Sequence, residues 1–200
     1  MNPFLIWNIF SFRQELKYVA TAFILVLCLP FVAIIALTHV GVKEVSDQLA
    51  TVSVIGQAVE IKSPLNGSVI KKVTGPFSWP IDGRITLEFG QSDLPYQIFH
   101  TGIDIARKSG DPTHAFMKGK VIYADEISWG YGKHIIIDNG DNISSLYGHL
   151  SKINVTKGQE VSQGQIIGLR GSTGWSTGPH LHFETRVFGI PVNPRVFLGK

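Results

Sequence analysis

The sequence predicts a mainly β domain built from antiparallel strands and preceded by one N-terminal membrane-crossing helix. Residues 18–40 read YVATAFILVLCLPFVAIIALTHV, without a single Asp, Glu, Lys or Arg. After Phe77 the pattern changes to short runs of Val, Ile, Tyr and Phe separated by Gly, Asn and Asp, with no 3.6-residue periodicity of helix length. A chain of 200 residues has room for one ordinary domain and its appendages. Its mean hydropathy of +0.16 and its 16% of charged residues are greasy for a chain that faces water everywhere.

The apolar run has the length needed to cross about 30 Å of hydrocarbon. Pro30 sits in its middle, where transmembrane helices tolerate proline because neighbouring groups re-satisfy the freed carbonyl. A cleaved signal peptide is the competing reading. The run exceeds the roughly 7–15 residues of a signal core, and Ala36 to Gly41 make a poor cleavage signature. Arg13 and Lys17 precede the run, whereas Lys43 beyond it is followed by Glu44 and Asp47. The positive-inside rule therefore leaves residues 1–17 in the cytoplasm and exports the remainder. A single-pass protein of the inner cell membrane is expected, with its domain outside the cytoplasm. His39 reads as an interfacial side chain at the outer end of the helix.

The formal charge of +3 is mild, and the basic residues are scattered among nearly as many acids. No nucleic-acid footprint follows from that. The one cysteine, Cys28, lies within the apolar run, so it forms no intramolecular disulfide and is silent about redox compartment. The sequence does not fix an oligomeric state.

Residues 41–75 read as a stalk with turn signals at Pro64-Leu65-Asn66-Gly67 and Gly75-Pro76. Fully extended they would reach roughly 110 Å, and IKSPLNGSVIKKV within them has the pattern of a small hairpin. Residues 76–200 form the expected domain. Its clearest strands are Gly119–Ile127, Lys133–Asp138, Asn142–Gly148, Gln165–Leu169 and His180–Val187. Asn139-Gly140 reads as the hairpin turn between the second and third, since both residues tolerate positive φ.

Histidines carry the chemical signal. His180-Leu181-His182 places two imidazoles at i and i+2, which in a strand share one face while Leu181 and Phe183 point into the core. His100-Thr101-Gly102-Ile103-Asp104 adds an imidazole and a carboxylate, the donor chemistry zinc accepts. Tyr147-Gly148-His149-Leu150 supplies another imidazole at a strand end. Each segment alone has an ordinary reading, as a surface or strand-end histidine or a turn aspartate. Their combination points to a metal site. His114 and His134 have no polar companion at useful spacing and are doubtful extra members.

Three blocks, H-T-G-I-D-I-A, L-Y-G-H-L and G-S-T-G-W-S-T-G-P-H-L-H-F-E, resemble in order and spacing the signature blocks of the lysostaphin/LytM-type zinc metallopeptidases. The resemblance runs from about Trp79-Pro80 to Val187 and leaves residues 1–75 outside it. It implies a sheet groove of the duplicated hybrid motif type, with one zinc ion held by His100, Asp104 and His182. It also implies that His149 and His180 act on the attacking water and the developing charge, and that the substrate is the peptide cross-links of bacterial peptidoglycan. Zinc brings the pKa of a ligand water near 7, which makes a usable nucleophile at neutral pH. No H-E-x-x-H motif is present, so glutamate general-base chemistry of that kind is not expected.

The chain departs from the family pattern at Gln91-Ser92-Asp93-Leu94-Pro95-Tyr96, a loop suited to setting substrate choice, and at Lys108 to Ala115, a turn variation that spares the ligands. Trp129, Tyr131 and Trp175 lie in glycine-bounded loops, where lining a peptide groove and packing on their own loops are both open readings. Ser172, Thr173, Ser176 and Thr177 read as turn residues. Two other functions are weighed against the enzyme. A non-catalytic wall-binding or hydrolase-activating module usually lacks one or more of the five residues, all present here. A biotinyl/lipoyl-like carrier is suggested by V-T-K-G-Q-E-V-S-Q-G-Q-I-I-G, but the lysine in a tight hairpin is missing.

Overall fold

The structure, a computed structural model, describes residues 17, 21, 41–52, 58–92 and 99–199. The run expected to cross a membrane, 18–40, lies outside the described residues apart from Thr21, which is helical. Among the described residues no helix is long and apolar enough to cross a membrane. The chain divides into two units, Met1–Gly41 and Val42–Lys200.

The segment read as a stalk is structured over much of its length. Residues 41–49 are helical (α1). Strands β1 (Ala50–Val52), β2 (Ala58–Lys62) and β3 (Val69–Thr74) then form a three-stranded antiparallel sheet in that order. The β2–β3 pair is the small hairpin the sequence pattern suggested. Asn66 Oδ1 accepts from the Ser68 amide at 3.1 Å and helps close its turn. Leu49, Val59, Ile61 and Val73 are buried, so apolar burial, and not only backbone pairing, holds this segment in place.

The second sheet carries the site. It comprises β4 (Arg84–Leu87), β5 (Ile103–Ala106), β6 (Pro112–His114), β7 (Gly119–Glu126), β8 (Lys133–Gly140), β9 (Ile143–Ile153), β10 (Glu160–Val161), β11 (Ile166–Arg170), β12 (His180–Val187) and β13 (Ile190–Val192). The main path runs β10-β7-β8-β9-β12-β5-β4, with β11 bridging β9 and β6 and β13 paired to β12. A four-residue helix, α2 (Arg195–Leu198), follows. The five strands read from sequence correspond to β7, β8, β9, β11 and β12. The shorter β4, β5, β6, β10 and β13 escape pattern reading, because two to four residues are too few to display a period of two.

The β8–β9 turn falls two residues later than expected. Asp141 and Asn142 form the loop, both at positive φ (51° and 61°), which suits the right-handed twist of a hairpin. Gly140, at φ 80°, stays in the strand where the register shifts between Asp138 and Gly140. Asp and Asn tolerate the left-handed region, so the second polar pair outcompetes Asn139-Gly140 as the turn centre.

Alternation sorts the faces. In β12, Leu181, Phe183 and Val187 are fully buried on one side, and His180, His182, Glu184 and Arg186 occupy the other. Phe183 meets Phe116 and Tyr147 at ring separations of 5.5 and 5.3 Å. Ile103 and Ile105 of β5 and Ile135 and Ile137 of β8 complete that side of the core. Fixing these strands fixes their opposite face, and so the site. Phe183→Ala is expected to cost about 3–5 kcal/mol, read as a lowered midpoint in urea unfolding. A change below 1 kcal/mol would show that the β12 core face does not set stability.

Candidate metal centre

Strand register assembles the cluster. His182 lies directly opposite Asp104 across the β12–β5 pair and opposite Gly148 across the β12–β9 pair. The first places a carboxylate beside an imidazole, and the second brings the neighbouring His149 to the same face. Gly102 permits the close approach of β5 to β12, since a Cβ there would sit 2.3 Å from the Phe183 carbonyl oxygen. His100, just before β5, is pinned by its backbone. Its N–H donates to the Gln91 carbonyl at 3.0 Å, and its own carbonyl accepts from the Gly90 N–H at 2.8 Å.

Asp104 is the hub. Its Oδ1 lies 2.9 Å from His182 Nδ1 and 3.2 Å from His100 Nε2, and its Oδ2 lies 3.5 Å from His180 Nε2. One ligand atom from each of His100, Asp104 and His182 falls within 4.8 Å of the others. Ligands at 2.0–2.1 Å around a tetrahedral zinc stand roughly 3.3 Å apart, close to the separations of His182 and His100 from Asp104. Two imidazoles and one carboxylate, the site's donor set, suit zinc with a fourth position left to solvent. The residues present therefore fit the metal.

His149 and His180 are held differently. In each, Nδ1 faces a backbone carbonyl oxygen at 2.8 Å, that of Thr173 for His149 and of Gly178 for His180. A carbonyl only accepts, so the ring proton sits on Nδ1 and the lone pair is left on Nε2. The two rings are 4.7 Å apart. His149 also adopts φ 60°, in the left-handed region that non-glycine residues seldom occupy. Its backbone N–H donates to the Tyr131 carbonyl at 2.8 Å, and the two hydrogen bonds hold a conformation that costs roughly 1–3 kcal/mol.

Burial and neighbouring charge set the titration. Burial works to raise the Asp104 carboxyl, but hydrogen bonds from His100 and His182 outweigh it and hold it well below the usual carboxylate range. Burial pushes His149 down to about 4, and the charges of His182 and His180 add to that. His182 moves the other way. Burial disfavours its cation, yet hydrogen bonds to Asp104 and to Glu184 raise it to about 9.

Glu184 is the functional-site neighbour that sequence reasoning missed. It is fully buried, and its Oε1 lies 3.0 Å from His182 Nε2. The same oxygen accepts from Thr101 Oγ1 at 2.5 Å and from Tyr131 Oη at 2.7 Å. Its signal was present in the stripe His180, His182, Glu184, Arg186, four polar residues at spacing two on one strand face. Of the three loop aromatic residues whose reading was left open between lining a groove and packing on their own loops, Tyr131 turns inward to Glu184, its ring 5.5 Å from that of His182. Trp129 and Trp175 remain 62% and 68% exposed with centroids 6.3 Å apart. Of the doubtful histidines, His114 lies in β6. His134 is buried, with Nδ1 on the Gly132 carbonyl at 2.9 Å and its ring stacked on Tyr123 at 4.3 Å. The Gln91–Tyr96 loop lies outside the described residues beyond Ser92.

An antiparallel β domain with a His-Asp-His cluster on one sheet face is the class of protein that fold and site define. Comparison with known proteins sharpens the class. The sequence signature of Peptidase family M23 matches residues 98–194. The catalytic domain of the antimicrobial peptidase lysostaphin from Staphylococcus simulans superposes with a TM-score of 0.56 at 35% identity, over 59% of this chain and 93% of that one. A zinc-containing peptidase from Vibrio cholerae gives a TM-score of 0.57 at 31% identity, over 74% and 45%. A DD-carboxypeptidase/endopeptidase of Neisseria meningitidis is 44% identical over 95 residues, 48% of this chain and 22% of that protein. A murein hydrolase activator of Escherichia coli is 41% identical over 120 residues, 60% of this chain and 30% of that protein. The chain belongs to Peptidase family M23. It spans about a fifth to a third of the length of these curated relatives.

Metal binding should compete with the His182 proton. Because the folded pKa is raised to about 9, His182 in the metal-free protein is protonated at neutral pH. Loading the site releases that proton. Apparent zinc affinity is expected to tighten about tenfold per pH unit between pH 7 and 8.5, measured by chelator competition. A flat profile over that range would show that His182 carries no proton to displace.

Proposed function

We propose that this protein is a zinc-dependent endopeptidase that cleaves the peptide cross-links of bacterial peptidoglycan. The reading rests on one observation: His100, Asp104 and His182 converge in a metal-competent cluster, while the His149 and His180 rings, each with Nδ1 on a backbone carbonyl, lie beside it. One zinc ion held there by His100, Asp104 and His182 would activate water and polarise the scissile carbonyl. His149, pushed down to about 4, stays neutral across physiological pH and begins turnover as a hydrogen-bond acceptor. His180 lies opposite Ala106 at the start of β12, with Nε2 near the second Asp104 oxygen, where it can take up a proton and then, as a donor, stabilise charge developing on the substrate. Trp129 and Trp175, on the two loops whose carbonyls hold His149, form a rim for the substrate peptide.

The proposal extends to organisation. Residues 18–40 serve as a single membrane anchor, residues 1–17 stay cytoplasmic, and the domain at 76–200 works outside the cytoplasm on the wall. The 41–75 segment links the two and carries the three-stranded sheet. The similarity to a hydrolase activator favours a second reading, a non-catalytic activating module, but the complete set of five residues supports the enzyme.

Incubating the full-length, zinc-loaded protein with purified peptidoglycan should release muropeptides freed from their cross-links, and a chelator should stop the release. His149→Ala should lower that rate about 10²–10⁴-fold, the range of a lost general acid–base group, with zinc affinity close to wild type. No release by the zinc-loaded wild type, or full function in His149→Ala, would argue for the activator instead.

A further inference from the structure

Glu184 lies beside the proposed site and belongs to none of the roles assigned so far. Its carboxylate is fully buried, a position that an ionised group occupies only when its lone pairs are satisfied. Every nearby polar group is a donor. Oε1 accepts from Thr101 Oγ1 and Tyr131 Oη and faces His182 Nε2 at 3.0 Å. Oε2 faces Arg186, whose Nε and Nη2 approach to 2.7 and 2.6 Å. Two hydroxyls and a guanidinium thus donate to its two oxygens, so the carboxylate serves as an acceptor on both sides.

Both His182 nitrogens face carboxylates, Nδ1 facing Asp104 Oδ1 at 2.9 Å and Nε2 facing Glu184 Oε1 at 3.0 Å. A neutral imidazole has one N–H and one lone pair. Nδ1 is the nitrogen turned to the other carboxylate of the cluster, so a metal held there would take the Nδ1 lone pair and leave the one N–H on Nε2, where Glu184 accepts it. Tyr131 extends the arrangement. Its phenol bonds Glu184 while its backbone carbonyl accepts from the His149 amide, so one residue braces both a ligand histidine and a water-facing one. The Tyr131 ring rests in turn 5.6 Å from that of His134, which stacks on Tyr123.

We propose that Glu184 is a positioning residue which, braced by Thr101, Tyr131 and Arg186, holds the His182 ring by Nε2 so that Nδ1 is aimed at the metal position. The inference rests on the metal-site reading given above. It places a carboxylate–histidine–metal relay in the chain's own residues, and losing the outer carboxylate of such a relay weakens metal binding by about 10–100-fold.

The test uses the full-length protein, with zinc affinity measured by chelator competition and the His182 tautomer read from ¹⁵N shifts of the zinc-loaded protein. Glu184→Gln is expected to weaken zinc binding about 10–100-fold and to lose the exclusive Nε2–H signature. Tyr131→Phe and Thr101→Val leave the carboxylate in place and should weaken binding in the same direction by less. A merely structural role would lower the melting temperature of the metal-free protein without moving the tautomer signal. A folded Glu184→Gln with wild-type zinc affinity and an unchanged tautomer would overturn the inference. Should Glu184→Gln fail to fold, wild-type affinity and tautomer in the Tyr131→Phe, Thr101→Val double variant would overturn it equally. Failure of the wild type to bind zinc would instead bring down the metal-site reading itself.

Discussion

A single carboxylate organises the site. Asp104 faces three imidazoles at 2.9, 3.2 and 3.5 Å, and nothing in water would keep four such groups together against their entropy. What holds them is the antiparallel register of β12 with β5, which sets His182 opposite Asp104. Register in turn is fixed by the apolar face of the same strands, because a slip of one residue would carry Phe183 to the polar side and His182 into the core. The chemistry is therefore a by-product of core packing. The stability of the β12–β5 pair and the integrity of the metal centre are one constraint viewed from two sides.

The histidines of the site are differentiated by what stands behind each ring. His149 and His180 are backed by carbonyl oxygens at Nδ1 and present Nε2. His182 is backed by Glu184 at Nε2 and presents Nδ1. One residue type is thus held in two orientations, selected by the partner on its far side. Electrostatics reinforces the division: burial first, and then His182, push His149 down, whereas hydrogen bonds to two carboxylates outweigh burial and raise His182.

Much of this was legible in the sequence, for specific reasons. The five long strands announced themselves through β-branched runs, and His180 and His182 through their spacing of two. The convergence of His100 and Asp104 with them came from the resemblance of three motif blocks, since long-range register leaves no trace in local pattern. Glu184 stood in the same alternating stripe yet was passed over, because a glutamate in a strand is usually exposed and this one is buried. The hairpin centre was misplaced by two residues, since two adjacent polar pairs, Asn139-Gly140 and Asp141-Asn142, both fit a turn. The short strands were invisible for want of length, and of the three-stranded sheet at 50–74, which lies within the segment read as a stalk, only the β2–β3 hairpin showed in the pattern.

The loops at 127–132 and 172–177 touch through backbone. The Trp175 N–H donates to the Gly130 carbonyl at 2.8 Å, and a Cβ on Gly174 would lie 2.4 Å from both Gly130 O and Gly132 N. They behave as one interlocked piece that also grips the strained His149. A designer wishing to retarget this scaffold could not swap either loop alone. The two would have to be transplanted as a matched pair, and sequence drift in one is expected to be answered by compensating change in the other.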